Sequence, residues 1–125
     1  MKRTLIPLTI VVLAALALAA PAVQAKDGAR IIALKASSAF PVAKGKAKFQ
    51  VDGQRGLEIE VEHIRRLAGS RVSFFVNARR LGVSRVNGLG AARLDRRGSS
   101  FPAIRAGTRI SVKTAGGRLI ASGRF

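Results

Sequence analysis

Apolar and polar residues alternate strictly along Leu57-Glu58-Ile59-Glu60-Val61-Glu62-His63, the period of a strand with one face in a core and one in water. Upstream, Lys44, Lys46 and Lys48 recur at the same period, with Ala47, Phe49 and Val51 at the alternate positions. Asp52-Gly53-Gln54-Arg55-Gly56 lies between the two runs and has turn chemistry. Paired as a hairpin, the runs share one apolar face and set lysines against glutamates on the other. The predicted register puts Val51 opposite Leu57, Phe49 opposite Ile59 and Ala47 opposite Val61. Lys48 then faces Glu60, Lys46 faces Glu62, and the turn includes a bulged glycine. His63 falls on the core-facing parity and is expected to be half-buried at the strand end.

The same period marks further strands at Ala29 to Lys35, Ser70 to Val76, Arg80 to Val86, Leu89 to Asp95, Thr108 to Lys113 and Arg118 to Phe125. Within Ser70 to Val76, Val72, Phe74 and Val76 point inward, whereas Arg71, Ser73 and Phe75 point outward. Asn77-Ala78-Arg79 reads as a tight turn and Asn87-Gly88 as a two-residue hairpin, since both Asn and Gly tolerate positive φ. Ala115-Gly116-Gly117 closes the last hairpin. Ala36 to Ala43, Ile64 to Gly69 and Arg96 to Ala106 are connections. No segment sustains a 3.6-residue apolar period. Eight short strands predict an all-β fold, a single small antiparallel β-sandwich, immunoglobulin-like or similar, over residues 26–125.

Ala68-Gly69-Ser70-Arg71-Val72-Ser73-Phe74 returns as Ala106-Gly107-Thr108-Arg109-Ile110-Ser111-Val112, and a looser echo links Phe40-Pro41 to Phe101-Pro102. The first match has the length of a duplicated hairpin rather than of shared strand grammar. The order GKAKFQVDGQRGLEIEVEHI, LAGSRVSFFVNARRLG, FPAIRAGTRISVKTAGGRLIASGRF resembles small exported bacterial β-rich proteins of unassigned function. That resemblance implies a β-sandwich and carries over no catalytic or binding residue.

Residues 1–25 change the picture from domain to destination. Lys2-Arg3, the apolar run Leu5 to Ala20 and Pro21-Ala22-Val23-Gln24-Ala25 together have the form of a signal peptide cut after Ala25. The run is shorter than the ~20 apolar residues of a spanning helix, so no transmembrane anchor is expected after cleavage. The expected destination is the periplasm or the medium.

Charge changes it again. The chain has 23 Lys and Arg against six Asp and Glu, a formal net charge of +17, and no cysteine. Thiolate metal sites, disulfides and a catalytic thiol are therefore absent. Glu58, Glu60 and Glu62 have the spacing of catalytic carboxylates, yet cross-strand lysines make them an ion-pair ladder. His63 is the single histidine, and Ser99-Ser100 lacks a nucleophile elbow. No glycine-rich nucleotide loop occurs. The expectation is a non-catalytic interaction module without cofactor or metal, its partners an anionic polysaccharide, lipid phosphate or acidic protein. Export separates it from its own nucleic acid, and stacking aromatics are scarce. The alternative is a structural accessory β-domain without a specific ligand.

Antiparallel strands alternate in direction, so the turns at Asp52 to Gly56 and Asn77 to Arg79 share one end with the start of the loop at Arg96. Arg55, Arg79, Arg80, Arg96 and Arg97 gather there and are the candidate anion-binding residues. Arg65 and Arg66 lie at the other end.

Overall fold

The computed structural model describes residues 28–125. The signal-peptide reading of residues 1–25 lies outside them. The strands are β1 (Ala29–Ala36), β2 (Lys44–Val51), β3 (Arg55–Glu62), β4 (Arg71–Val76), β5 (Arg79–Arg85), β6 (Ala92–Arg97), β7 (Arg109–Thr114) and β8 (Leu119–Arg124). A single 3-10 turn, Arg65–Leu67, is the one helical element among the described residues.

All eight strands belong to one antiparallel sheet, in the order β5-β4-β7-β8-β1-β2-β3-β6. This corrects the expectation of a two-sheet sandwich: the sheet curls into a nearly closed, barrel-like wall. The reason lies in β1. Its residues Ala29 to Leu34 pair with β2, and Lys35 and Ala36 pair with β8, so one strand joins what would otherwise be two sheets. Close approach at that corner needs glycine twice. A Cβ at Gly123 would sit 2.7 Å from the Ala33 carbonyl oxygen, and one at Gly45 would sit 3.0 Å from Leu34 Cβ.

The edge strands β5 and β6 come alongside each other at the far side. There the Arg96 guanidinium on β6 donates from Nη2 to the Leu81 carbonyl on β5, at 2.8 Å. The side chain crosses over Gly82, where a Cβ would lie 2.6 Å from Arg96 Nη2. The seam is thus stitched by a side chain where a backbone ladder is missing. Asn87-Gly88 does not form the two-residue hairpin expected at the top of this seam. Asn87 Oδ1 instead accepts from the Leu89 and Ala91 amides, and Gly90 takes the positive φ of 84°. Leu89 is left in the loop, exposed, and β6 starts only at Ala92.

The core lies inside the curl. Ala47, Ile59, Val61, Val72, Phe74, Ile110, Val112 and Ala121 are fully buried. Two crossing connections stopper the ends. Ile64 of the β3–β4 connection is buried at one end, and Phe101 and Ile104 of the β6–β7 connection at the other. Each stopper is fastened by an arginine lying over a phenylalanine: Arg66 stands 4.5 Å from the Phe40 ring and Arg55 stands 4.2 Å from the Phe101 ring.

The lead hairpin keeps the predicted faces but not the predicted register. Ala47 pairs with Ile59, Phe49 with Leu57 and Val51 with Arg55, a shift of two residues. The loop shortens to Asp52-Gly53-Gln54, with Gly53 at φ 81°. A shift of two preserves the alternation, which is why the core is unaffected. Arg55 and Gly56 join the strand because the Arg55 side chain is held by the β6–β7 connection. Val51 ends up exposed instead of core-facing. His63 is also corrected: it is exposed, at φ 64°, with Nε2 3.9 Å from Glu62 Oε1. The left-handed backbone ends the alternation there and gives the inward position to Ile64.

Candidate functional site

Antiparallel pairing brings the β2–β3 turn, the β4–β5 turn and the end of β6 to one end of the barrel, with Arg55, Arg79, Arg80, Arg96 and Arg97 on them. The five arginines do different things. Arg55 donates to the carbonyls of Gly98, Phe101 and Pro102 and is half-buried over Phe101. Arg96 is tied to Leu81 across the seam. Both guanidinium groups are occupied by backbone oxygens and serve to hold the fold. Arg79, Arg80 and Arg97 are exposed. Arg97 borders a hollow of about 170 Å³ that it shares with Lys48, Glu58 and Asp95, so cations and carboxylates are mixed there.

Charge is sorted by strand. Of the described acidic residues, Asp52 is in the β2–β3 turn, Glu58, Glu60 and Glu62 are on β3, and Asp95 is on β6. On this wall the register sets opposites together: Lys44 faces Glu62, Lys46 faces Glu60 and Lys48 faces Glu58. Lys46 Nζ lies 3.8 Å from Glu60 Oε1. Glu58 and Asp95 oppose each other, and Arg93 bridges them at 2.5 Å and 3.4 Å.

The wall made by β5, β4, β7 and β8 has no acidic residue. Val72, Phe74, Val76, Ile110 and Val112 fill the interior, so the alternate residues face out: Arg71, Ser73, Phe75, Arg109, Ser111 and Lys113. Phe75 is covered by Lys113, whose Nζ is 4.8 Å from the ring centre. Small serines lie along the middle, and exposed arginines lie at both ends. Here the register sets like charges together: Arg71 faces Arg85, and Arg109 faces Arg124. Directly opposed like charges are unfavourable, and no carboxylate on this wall offsets them. A hollow of about 370 Å³ bordered by Asn77, Ala78, Arg109, Ser111, Lys113 and Arg124 sits at one end of it.

The two arginine pairs are equivalent by construction. The duplicated segment leads into β4 in one copy and β7 in the other. Gly69 and Gly107 hold positive φ, 85° and 90°. The Gly69 amide donates to Val86 and the Gly107 amide to Phe125; Val86 returns a bond to Ser70 and Phe125 returns one to Thr108. Arg85 Nη1 donates to the Gly69 carbonyl at 2.6 Å, and Arg124 Nη1 to the Gly107 carbonyl at 3.0 Å. Each pair therefore has one guanidinium oriented by its Ala-Gly turn. Phe74 and Val112, matching positions of the repeat, face each other in the β4–β7 ladder, so a local two-fold axis passes between them.

The signal for this arrangement was present in the sequence as the repeat and as the absence of Asp and Glu from residues 63–94 and 96–125. Among the described residues no cluster of metal-ligating side chains occurs and no helix is long and apolar enough to cross a membrane. No known family model matches the chain, and no curated protein is similar to it at a significant level.

Proposed function

We propose that the protein is an exported, non-catalytic module that binds anionic polymers, acting through the wall of β4, β5, β7 and β8. The observation that carries this reading is the sorting of charge. One wall sets its lysines opposite glutamates, and the other opposes arginine to arginine with no carboxylate on its four strands. Uncompensated guanidinium groups favour phosphate, sulfate and carboxylate, and a bound polyanion would relieve their repulsion. A structural accessory domain without a ligand is the competing reading.

Heparin-column elution of the exported chain tests it, against a basic protein of matched size and charge. Changing Arg71, Arg85, Arg109 and Arg124 together to Ser should lower heparin affinity by on the order of 100-fold at low salt and flatten its salt dependence. Changing Lys44, Lys46, Lys48 and Arg97 to Ser removes the same formal charge from the other wall and should lower affinity several-fold at most. Equal losses would mean diffuse attraction, and elution with the control protein would favour the accessory domain. The export part of the reading is checked separately: mass spectrometry of the protein outside the cytoplasm should show a chain beginning at Lys26.

A further inference from the structure

We infer that the duplicated hairpins make the wall a two-point site, in which Arg71 with Arg85 and Arg109 with Arg124 each take one tetrahedral oxyanion of the same extended chain. The inference rests on the polyanion reading and adds to it a geometry and a ligand class: a linear polymer bearing sulfate or phosphate groups at repeated intervals.

The local two-fold axis fixes the spacing. Val72 pairs with Thr114, so Arg71 lies past the end of β7 remote from Arg109. At about 3.3 Å per residue along the strands, the two arginine pairs stand roughly 20 Å apart. Between them the centre of the wall holds Ser73 and Ser111, almost wholly covered, and a single cation, Lys113, which faces Ser73 and lies over Phe75. A chain laid between the pairs meets no carboxylate, and Val83, facing Ser73, is the exposed apolar side chain beside its path. At one end, Asn77 Oδ1 accepts the Arg109 amide, so the Nδ2 end of its side chain is left to donate beside the Arg109–Arg124 pair.

The chemistry at each pair favours a tetrahedral oxyanion over a lone carboxylate. Two arginines facing each other on neighbouring strands can turn several N–H donors toward one anion, and a sulfate or phosphate ester has enough oxygens to accept from both. The single aromatic of the wall, Phe75, is already capped by a lysine, which removes the stacking platform that single-stranded nucleic acid uses.

Two linked contacts make the second binding event intramolecular, so affinity should depend on ligand length with a threshold. The test is isothermal titration of the exported chain with heparin oligosaccharides of graded length. Affinity should rise by on the order of 100-fold once the oligosaccharide is long enough to span both pairs, and by little beyond that. Arg71→Ser with Arg85→Ser, and Arg109→Ser with Arg124→Ser, should each abolish the threshold to a similar extent, while affinity for oligosaccharides too short to span falls only about twofold, as one of two equivalent sites is lost. A polyphosphate series of matched lengths distinguishes a sulfated from a phosphorylated ligand, and hyaluronan, which carries carboxylates alone, should show no threshold. A smooth rise of affinity with length, or a threshold that survives loss of one arginine pair, overturns the two-point site while leaving polyanion binding standing. No binding to heparin of any length overturns the polyanion reading itself.

Discussion

The β2–β3–β6 wall and the β4–β5–β7–β8 wall share an interior and differ outside. Both alternate apolar and polar residues, and both bury their inward side chains almost completely. On the first, the register sets each outward lysine of β2 opposite a glutamate and Arg93 bridges two facing acids. On the second, arginine faces arginine twice. Strand parity dictates which residues reach the core, but register decides what the outward residues meet. A fold can therefore be equally sound on both sides while one side is electrostatically satisfied and the other is not.

The comparison can be broken first from inside. Ile59→Asp on one wall and Phe74→Asp on the other should each unfold the domain, because either buries an unpaired charge at a fully enclosed position. Loss of the cooperative thermal transition in both is the check; if one variant stays folded, the walls do not share a single core. A smaller effect is expected from Arg55→Ala, at about 2 kcal/mol in chemical denaturation, since it removes charged hydrogen bonds to three carbonyls and a cation–π contact.

Smaller again, and more telling, are substitutions on the outer faces. Arg93→Leu leaves Glu58 facing Asp95 and should cost about 1 kcal/mol at low salt, with the loss shrinking as salt is added. Arg109→Ser should have the opposite sign, a gain of about 0.3 kcal/mol at low salt that fades at high salt, because it ends a like-charge opposition. Urea midpoints at two salt concentrations measure both. Equal signs would mean that the register contrast has no energetic content. Glu60→Gln should change stability by less than about 1 kcal/mol, as its pair with Lys46 is long and solvent-exposed.

Much of the wall architecture was legible because a period of two is visible without a structure. The faces of Leu57 to Glu62 and of Arg71 to Val76 follow from it, and so do the eight strands. Register was not legible to the residue: loop length at Asp52 to Gln54 depends on Arg55 being held by carbonyls 43 to 47 residues away. The β5–β6 hairpin signal misled because the Asn87 side chain organises a wider loop. One sheet rather than two depends on β1 pairing along both edges, a non-local fact. Of the candidate arginines, the shared end followed from strand direction alone. Which guanidinium groups are occupied did not, because Arg55 and Arg96 find their oxygens on other strands and loops. The equivalence of Arg85 and Arg124 is hidden in the sequence because the two hairpins carry their β-bulge at matching positions but differ in turn length, Asn77-Ala78 in one and Ala115-Gly116-Gly117 in the other, which moves β8 one residue out of step with β5.

The duplication also poses a problem of identity while the chain folds. The two hairpins share their Ala-Gly lead-in, their bulge and their pairing pattern, so a swapped arrangement would bring β5 in place of β8 beside β1. Gly123 breaks the tie. Its counterpart in the first hairpin is Ser84, since Gly123 faces Ile110 as Ser84 faces Val72. Only a residue without a Cβ fits against the Ala33 carbonyl, 2.7 Å from where that atom would be. One missing methyl thus marks which of the two hairpins fits beside β1, and which is left to meet β6 at the seam.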